Sequence, residues 1–277
     1  MPRMALGLSY DGRPWQGWQT QPHKKTVQDQ LEQALNIFLG HATPTICAGR
    51  TDTGVHALDQ VVHIDSLVER TSIAWVRGLN RYLHESIRVI WAVPVADTFH
   101  ARFSAVSRTY RYIVLNDAVY QPLWVGRAGW FFRPLDIDLM LEARHALIGQ
   151  HDFSSFRSSQ CQAPNPVRTV YSIDIERQGA LVVITLTANA FLHHMVRNIV
   201  GSLLQIGCAK QPVAFLAETL AARNRIYAAP TFAADGLYFE RVNYPVELLE
   251  RPTRSIDHSF DLFSVKPRSL KLQNLKT

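Results

Sequence analysis

The apolar residues of this 277-residue chain switch between a period of two and a period near 3.6 in one fixed order, and that order occurs twice. Residues 4–10 alternate as a strand. Residues 27–39 place Leu31, Ala34, Leu35 and Phe38 on one helical face, with Thr26 as N-cap and Gly40 as terminator. Strands follow near 44–48 and 58–64. Residues 73–83 read as a helix capped by Ser72, with Ile73, Val76, Asn80 and Leu83 near one face, and 87–95 read as an apolar strand. The second half predicts a strand at 107–115, a helix at 138–148 ending at Gly149, and strands at 168–176 and 181–188 separated by Gly179. A long helix at about 191–207, a shorter one at 213–223 just after Pro212 and a strand at 236–242 complete it.

Each half therefore has the order β-α-β-β-α-β of a split β-α-β unit. Only the order repeats, since no residue-level repeat accompanies it. The expected fold is α+β: two ferredoxin-like halves forming one extended, mainly antiparallel sheet, with helices on one face and an active-site cleft on the other. The expected domains are an N-terminal half at 1–100 and a C-terminal half at 101–246 that completes the cleft, linked through residues 95–106. From Tyr244 onward Pro245, Pro252 and weak periodicity predict flexible chain, and 247–277 is expected to be a basic tail.

Composition places the chain among globular proteins, with 47% hydrophobic and 19% charged residues and no apolar run long enough to span a bilayer. The N-terminus enters a strand pattern at once and lacks a signal peptide's apolar core, so the expected compartment is the cytoplasm. The net charge of +6 is uneven: residues 251–277 hold six basic and two acidic residues, so the rest of the chain carries only +2. A nucleic-acid site in the body would be a local patch. Cys47, Cys161 and Cys208 stand apart, without the spacing of a disulfide framework or a zinc ribbon. His193 and His194 are neighbours on an expected helix, where side chains diverge by roughly 100°. They do not form the i, i+4 pair of a zinc hydrolase, and no metal is expected.

The densest chemical signal is Gly49-Arg50-Thr51-Asp52-Thr53-Gly54-Val55-His56-Ala57, a glycine-punctuated connection between strands. Asp52 there could serve as nucleophile, general base, metal ligand or turn former. Arg197 lies on the polar side of the 191–207 helix with His193 and Gly201, where the missing side chain of Gly201 leaves room for a backbone or a ligand. It could be a solvated arginine or a partner for a carboxylate or phosphate. Tyr110 shares a strand face with Tyr112 and could pack, or stack on a base. The loop from Asp11 to Lys25 interleaves aromatic and basic residues, among them Arg13, Trp15, Lys24 and Lys25. It suits RNA contact, unless its tryptophans fold back onto the core.

Taken in order, these segments resemble the bacterial tRNA pseudouridine synthase A family. The resemblance starts at Tyr10-Asp11-Gly12, Gly17-Trp18-Gln19 and Thr26-Val27-Gln28. It continues through the Asp52 segment, Phe99-His100-Ala101-Arg102-Phe103-Ser104-Ala105, Arg108, Tyr110, Gly149 and His151-Asp152-Phe153. It closes with Arg168-Thr169, Phe191-Leu192-His193-His194-Met195-Val196-Arg197-Asn198 and Gly236-Leu237. It covers about residues 4–245. It implies isomerisation of uridine to pseudouridine at positions 38, 39 and 40 of the tRNA anticodon stem-loop, without a cofactor, by a homodimer. It also implies that Asp52 is the nucleophile and Arg197 its partner, that Tyr110 contacts the target nucleotide, that Arg50 helps to place it, and that Leu237 lines the pocket. Arg108 is a further expected RNA contact. Such a reaction needs a flipped nucleotide and a site closed to water.

Two rivals remain at this point. Asp52-Thr53-Gly54 is also the catalytic tripeptide of aspartic proteases, which need two aspartates sharing a proton; this chain has no second copy of the motif. A non-catalytic RNA-binding module would suit the fold but leaves the aspartate and arginine unexplained.

Overall fold

Ten strands form one mixed, mostly antiparallel sheet in a computed structural model that describes residues 2–250 and 252. In the first half β1 (Arg3–Tyr10), α1 (Val27–Leu39), β2 (Ile46–Cys47), β3 (His56–Asp65), α2 (Ser72–Asn80) and β4 (Ile87–Val95) follow one another. The second half contributes β5 (Ser107–Asn116), β6 (Gly129–Phe131), α3 (Ile137–Ala143), β7 (Gly149–Asp152), β8 (Val167–Gln178) and β9 (Leu181–Ala188). It ends with α4 (Met195–Gly207), α5 (Phe215–Ala222) and β10 (Leu237–Asn243). The strand order across the sheet is β4-β1-β3-β10-β5-β9-β8-β7, with β2 on β3 and β6 on β5. The halves meet where β10 lies parallel to β3, through the pairs Tyr238↔His56 and Phe239↔Ala57.

Local sequence explains most boundaries. Thr26 Oγ1 accepts from the Asp29 backbone N–H and donates to the Asp29 carboxylate, and Gly40 ends α1 in the left-handed region at φ 80°. Here periodicity and both caps agree, and α1 occupies the expected residues. In α2 the cap is Thr71 and the helix stops at Asn80, whose side chain turns away to bond both backbone groups of Val89. The expected 138–148 helix shortens to α3 and a 3-10 turn, and Gly149 opens the edge strand β7 instead of merely ending a helix.

Both cores lie on the helix-bearing face. Leu6, Leu8 and Tyr10 of β1 pack with Leu31 and Leu35 of α1 and Trp75 of α2. Tyr112 and Val114 of β5 and Ile184 and Leu186 of β9 pack with Ile199, Leu203 and Ile206 of α4. Tyr110 touches both cores. The expectation of a cleft on the face opposite the helices is therefore corrected. The cleft opens on the helix-bearing face, in the gap between the two helical layers, because Tyr110, Leu237 and Phe239 point to that side of the sheet. The opposite face instead carries Arg111, Ile113 and Tyr238, with Arg111 bridging Glu240 at 2.7 Å.

Two expectations about the connections also change. The expected linker at 95–106 is packed into the fold: Val95 ends β4, Phe99 and Ala101 are fully buried, and the Ala101 N–H donates to His63 Nδ1 at 3.1 Å. The expectation of flexible chain from Tyr244 onward fails among the described residues. The Tyr244 hydroxyl donates to the Ala101 carbonyl at 2.6 Å, and Tyr244 and Leu249 are buried in the first core, so the folded unit runs at least to residue 250. The rest of the expected basic tail, apart from Pro252, lies outside the described residues. Among the described residues no helix is long and apolar enough to cross a membrane.

Candidate active site

Asp52 sits on the connection between β2 and β3, and three neighbours fix that connection. Tyr10 and Thr51 share a hydrogen bond between hydroxyls at 2.8 Å, buried from water. The Trp18 N–H donates to the Thr51 carbonyl at 2.9 Å, and the Val55 N–H closes the turn on the Asp52 carbonyl at 3.1 Å. Gln60, fully buried on β3, donates to the Gly49 carbonyl at 2.5 Å. Gly17 permits the close approach of the 11–19 loop, since its φ is 82° and a Cβ there would lie 2.9 Å from the Thr51 oxygen. The aspartate is thus held by backbone and buried polar contacts from β1, β3 and a loop.

The C-terminal half brings Arg197 to it. The Nη1 of Arg197 lies 3.3 Å from Asp52 Oδ2, and its Nε donates to the Phe232 carbonyl at 2.8 Å. The space left by Gly201 on the same helix is filled by backbone: a Cβ there would be 2.4 Å from the Pro230 oxygen. That contact seats the 230–232 segment against α4 and so supplies the carbonyl that aims Arg197.

The expectation that His193 and His194 diverge on a helix is wrong. The helix begins at Met195, and His194 caps it in the left-handed region at φ 63°. The reversal turns both imidazoles toward the same carboxylate. His193 Nε2 lies 3.2 Å from Asp52 Oδ1, and His194 Nε2 lies 3.4 Å from Oδ2. Burial, which favours the neutral ring, holds the His194 imidazole below the usual histidine range against the opposing pull of the Asp52 charge.

These groups line a cavity of about 670 Å³ together with Trp18, Tyr110, Phe191, Leu237 and Phe239. Tyr110 is braced edge-on by Phe191 at 4.9 Å and Phe239 at 5.0 Å, and burial pushes its phenol up, so the hydroxyl stays protonated. Cys47 also faces the cavity, with its thiol pushed up to about 12 by burial, which makes it a poor nucleophile. Among the described residues, five lining arginines (Arg50, Arg102, Arg108, Arg168 and Arg197) surround Asp52, the single acidic lining residue. The cavity is built for an anionic ligand with flat apolar parts.

The other expected site residues divide. Arg50 and Leu237 line the cavity. Arg108 does too, but its guanidinium donates to the carbonyls of Ala48, Arg102, Ala105 and Asn189, so it braces the rim and is not free for a phosphate. Trp15 turns inward, with Nε1 on Ser86 Oγ at 2.9 Å and its ring edge-on to His84, and it cannot stack on a base. Arg13, paired with Asp11, and Lys24 and Lys25 are exposed and lie outside the cavity. Sequence reasoning missed His193, His194, Arg102 and Arg168 as cavity residues, although all four stand in the motifs quoted above.

Comparison with known proteins shows the family. The protein family described as tRNA pseudouridine synthase matches residues 143–245, which span α4 and β10. The chain is 63% identical to the tRNA pseudouridine synthase A of Bordetella petrii over 89% of its own length and 93% of that protein. It is 58% identical to that of Bordetella avium, covering 91% and 95%, and 57% identical to that of Herminiimonas arsenicoxydans, covering 87% and 90%. The chain is thereby an isomerase of the pseudouridine synthase class. Within that class the chain belongs to the tRNA pseudouridine synthase A family. A protease dyad finds no second carboxylate among the described lining residues.

Proposed function

We propose that the protein converts uridine to pseudouridine at positions 38, 39 and 40 in the anticodon stem-loop of tRNA. The observation that carries this reading is one carboxylate, Asp52, met by Arg197 at 3.3 Å on the wall of a cavity lined by five arginines. The reaction breaks the bond from N1 to C1′, turns the uracil and joins C5 to C1′, moving a proton from C5 to N1 in net terms. A nucleophile that stays in place and a base that stays trapped are the two requirements.

Asp52 is the proposed nucleophile and Arg197 the cation that pairs with it and aims it. The half-buried ring of Tyr110 would cover the flipped uracil, Leu237 would pack against it, and Arg50 at the exposed rim would occupy the space it leaves in the stem. Arg13, Lys24 and Lys25 would meet the RNA backbone outside the cavity. The strand orders β4-β1-β3-β2 and β10-β5-β9-β8 support the reading of two ferredoxin-like halves. Work as a homodimer in the cytoplasm, without a cofactor, belongs to the same proposal.

The test is pseudouridine formation on an unmodified tRNA transcript, read by tritium release from C5-labelled uridine. Wild-type protein is expected to modify the anticodon stem-loop and Asp52→Ala to show no turnover while still binding tRNA. Turnover by Asp52→Ala, or none by the wild type, would overturn the proposal.

A further inference from the structure

The three side chains Asp52, His193 and His194 bring one oxygen and two imidazole nitrogens within 4.8 Å of one another. We propose that they form a reversible site for a borderline divalent transition cation such as Zn²⁺, and that the cation switches the enzyme off by occupying the Asp52 carboxylate. Two imidazoles and one carboxylate make a donor set suited to zinc. Ligand bonds of about 2.0–2.1 Å at tetrahedral angles place ligand atoms about 3.3–3.4 Å apart. His193 Nε2 and Asp52 Oδ1 already lie 3.2 Å apart. His194 Nε2 lies 3.4 Å from Asp52 Oδ2, and the three ligand atoms are all within 4.8 Å, so rotation of the His194 side chain has at most about 1.5 Å to close.

Access and charge are compatible with this site. The side chains of Asp52, His193 and His194 are 26%, 35% and 26% exposed, so a hydrated ion can reach them from the cavity. A cation held through Oδ1 leaves Oδ2 to Arg197, whose Nε remains anchored on Phe232. The surrounding arginines oppose any cation, so the affinity expected is far weaker than that of a structural zinc site. Mg²⁺, which prefers oxygen ligands and keeps its water, is not expected to compete.

The binding arm uses the metal-free full chain without tRNA. Titration with Co²⁺ is expected to give one saturable site per chain with the visible absorption of a low-coordinate cobalt centre, displaced by Zn²⁺. His193→Gln and His194→Asn should each weaken binding at least tenfold; asparagine tolerates the left-handed backbone at 194. Absence of saturable binding below about 1 mM, or affinity within about threefold of wild type in both variants, would overturn the site.

The inhibition arm rests on Asp52 acting as the proposed nucleophile. Pseudouridine formation should fall with Zn²⁺ at concentrations matching the measured affinity, recover with EDTA and ignore millimolar Mg²⁺. Binding without inhibition would overturn the switch but not the site. A protein that forms no pseudouridine at all would overturn the proposed function, while the cobalt titration would still read the site.

Discussion

Arg197 and Asp52 are 145 positions apart in sequence, and the Arg197 guanidinium spans 3.3 Å to the carboxylate on one side and 2.8 Å to the Phe232 carbonyl on the other. The fork of donors is what allows both contacts at once.

Arg197→Lys keeps the charge but has a single nitrogen to share. Turnover on tRNA is expected to fall about 100-fold, about 2.7 kcal/mol, with KM within about threefold of wild type. A rise in KM equal to the loss in kcat/KM would make Arg197 a phosphate contact instead.

Tyr10→Phe removes the buried partner of Thr51, the residue before the proposed nucleophile. The variant is expected to lose about 1–2 kcal/mol of stability, because the Thr51 hydroxyl then stays buried without its bond. Urea unfolding measures this, and an unchanged midpoint would show that the pair contributes nothing.

Gly17→Ala places a methyl group 2.9 Å from the Thr51 oxygen on a backbone at φ 82°. The loop must move away from the Asp52 turn and strain the bond from Trp18 to Thr51. We expect about 1–3 kcal/mol of destabilisation together with a fall in kcat. Full turnover in a fully stable Gly17→Ala protein would mean that the loop does not support the turn.

The pH dependence of folding has a named contributor. His63 is buried, accepts the Ala101 N–H at Nδ1, and is held down to about 4, first by burial and then by Arg3 and His100. An unfolded histidine titrates near 6.5, so the unfolded chain takes up the proton first as pH falls. The stability tied to the neutral ring is complete above pH ~6.5, is lost progressively toward pH ~4, and changes no further below that. Denaturation midpoints across this window should fall less steeply in His63→Gln, by up to one proton per molecule. Equal slopes in the two proteins would remove His63 from the account.

Legibility in the sequence followed how many local signals agreed. For α1 the periodicity, the Thr26 cap and the Gly40 terminator coincide, and the helix lies where the pattern puts it. For α4 the apolar run through Phe191 and Leu192 continues past the true start, because those residues are packed against Tyr110 and the second core without being helical. The left-handed turn at His194 has no compositional sign, and it alone redirects two histidines onto Asp52. Trp15 and Trp18 sit in one loop with similar surroundings in sequence, yet one turns toward Ser86 and the other lines the cavity; tertiary packing decides between them. Asp52, Arg197, Tyr110, Arg50 and Leu237 line one cavity, and what groups them in the sequence is motif order, not local pattern. The side of the sheet that bears the cleft was not, since strand alternation defines two faces without saying which one the helices leave open.

The parallel seam between β3 and β10 sets a timetable for biosynthesis. The strand that closes the sheet beside β3 ends at Asn243, and the guanidinium that faces Asp52 belongs to residue 197. At about 5–20 residues per second a ribosome needs roughly 7–30 s to get from Asp52 to Arg197. Throughout that interval the aspartate has emerged with its own hairpin but has no cation, no histidines and no cavity wall. The walls of the cavity from the two halves can stand together only once β10 is laid into the middle of the sheet.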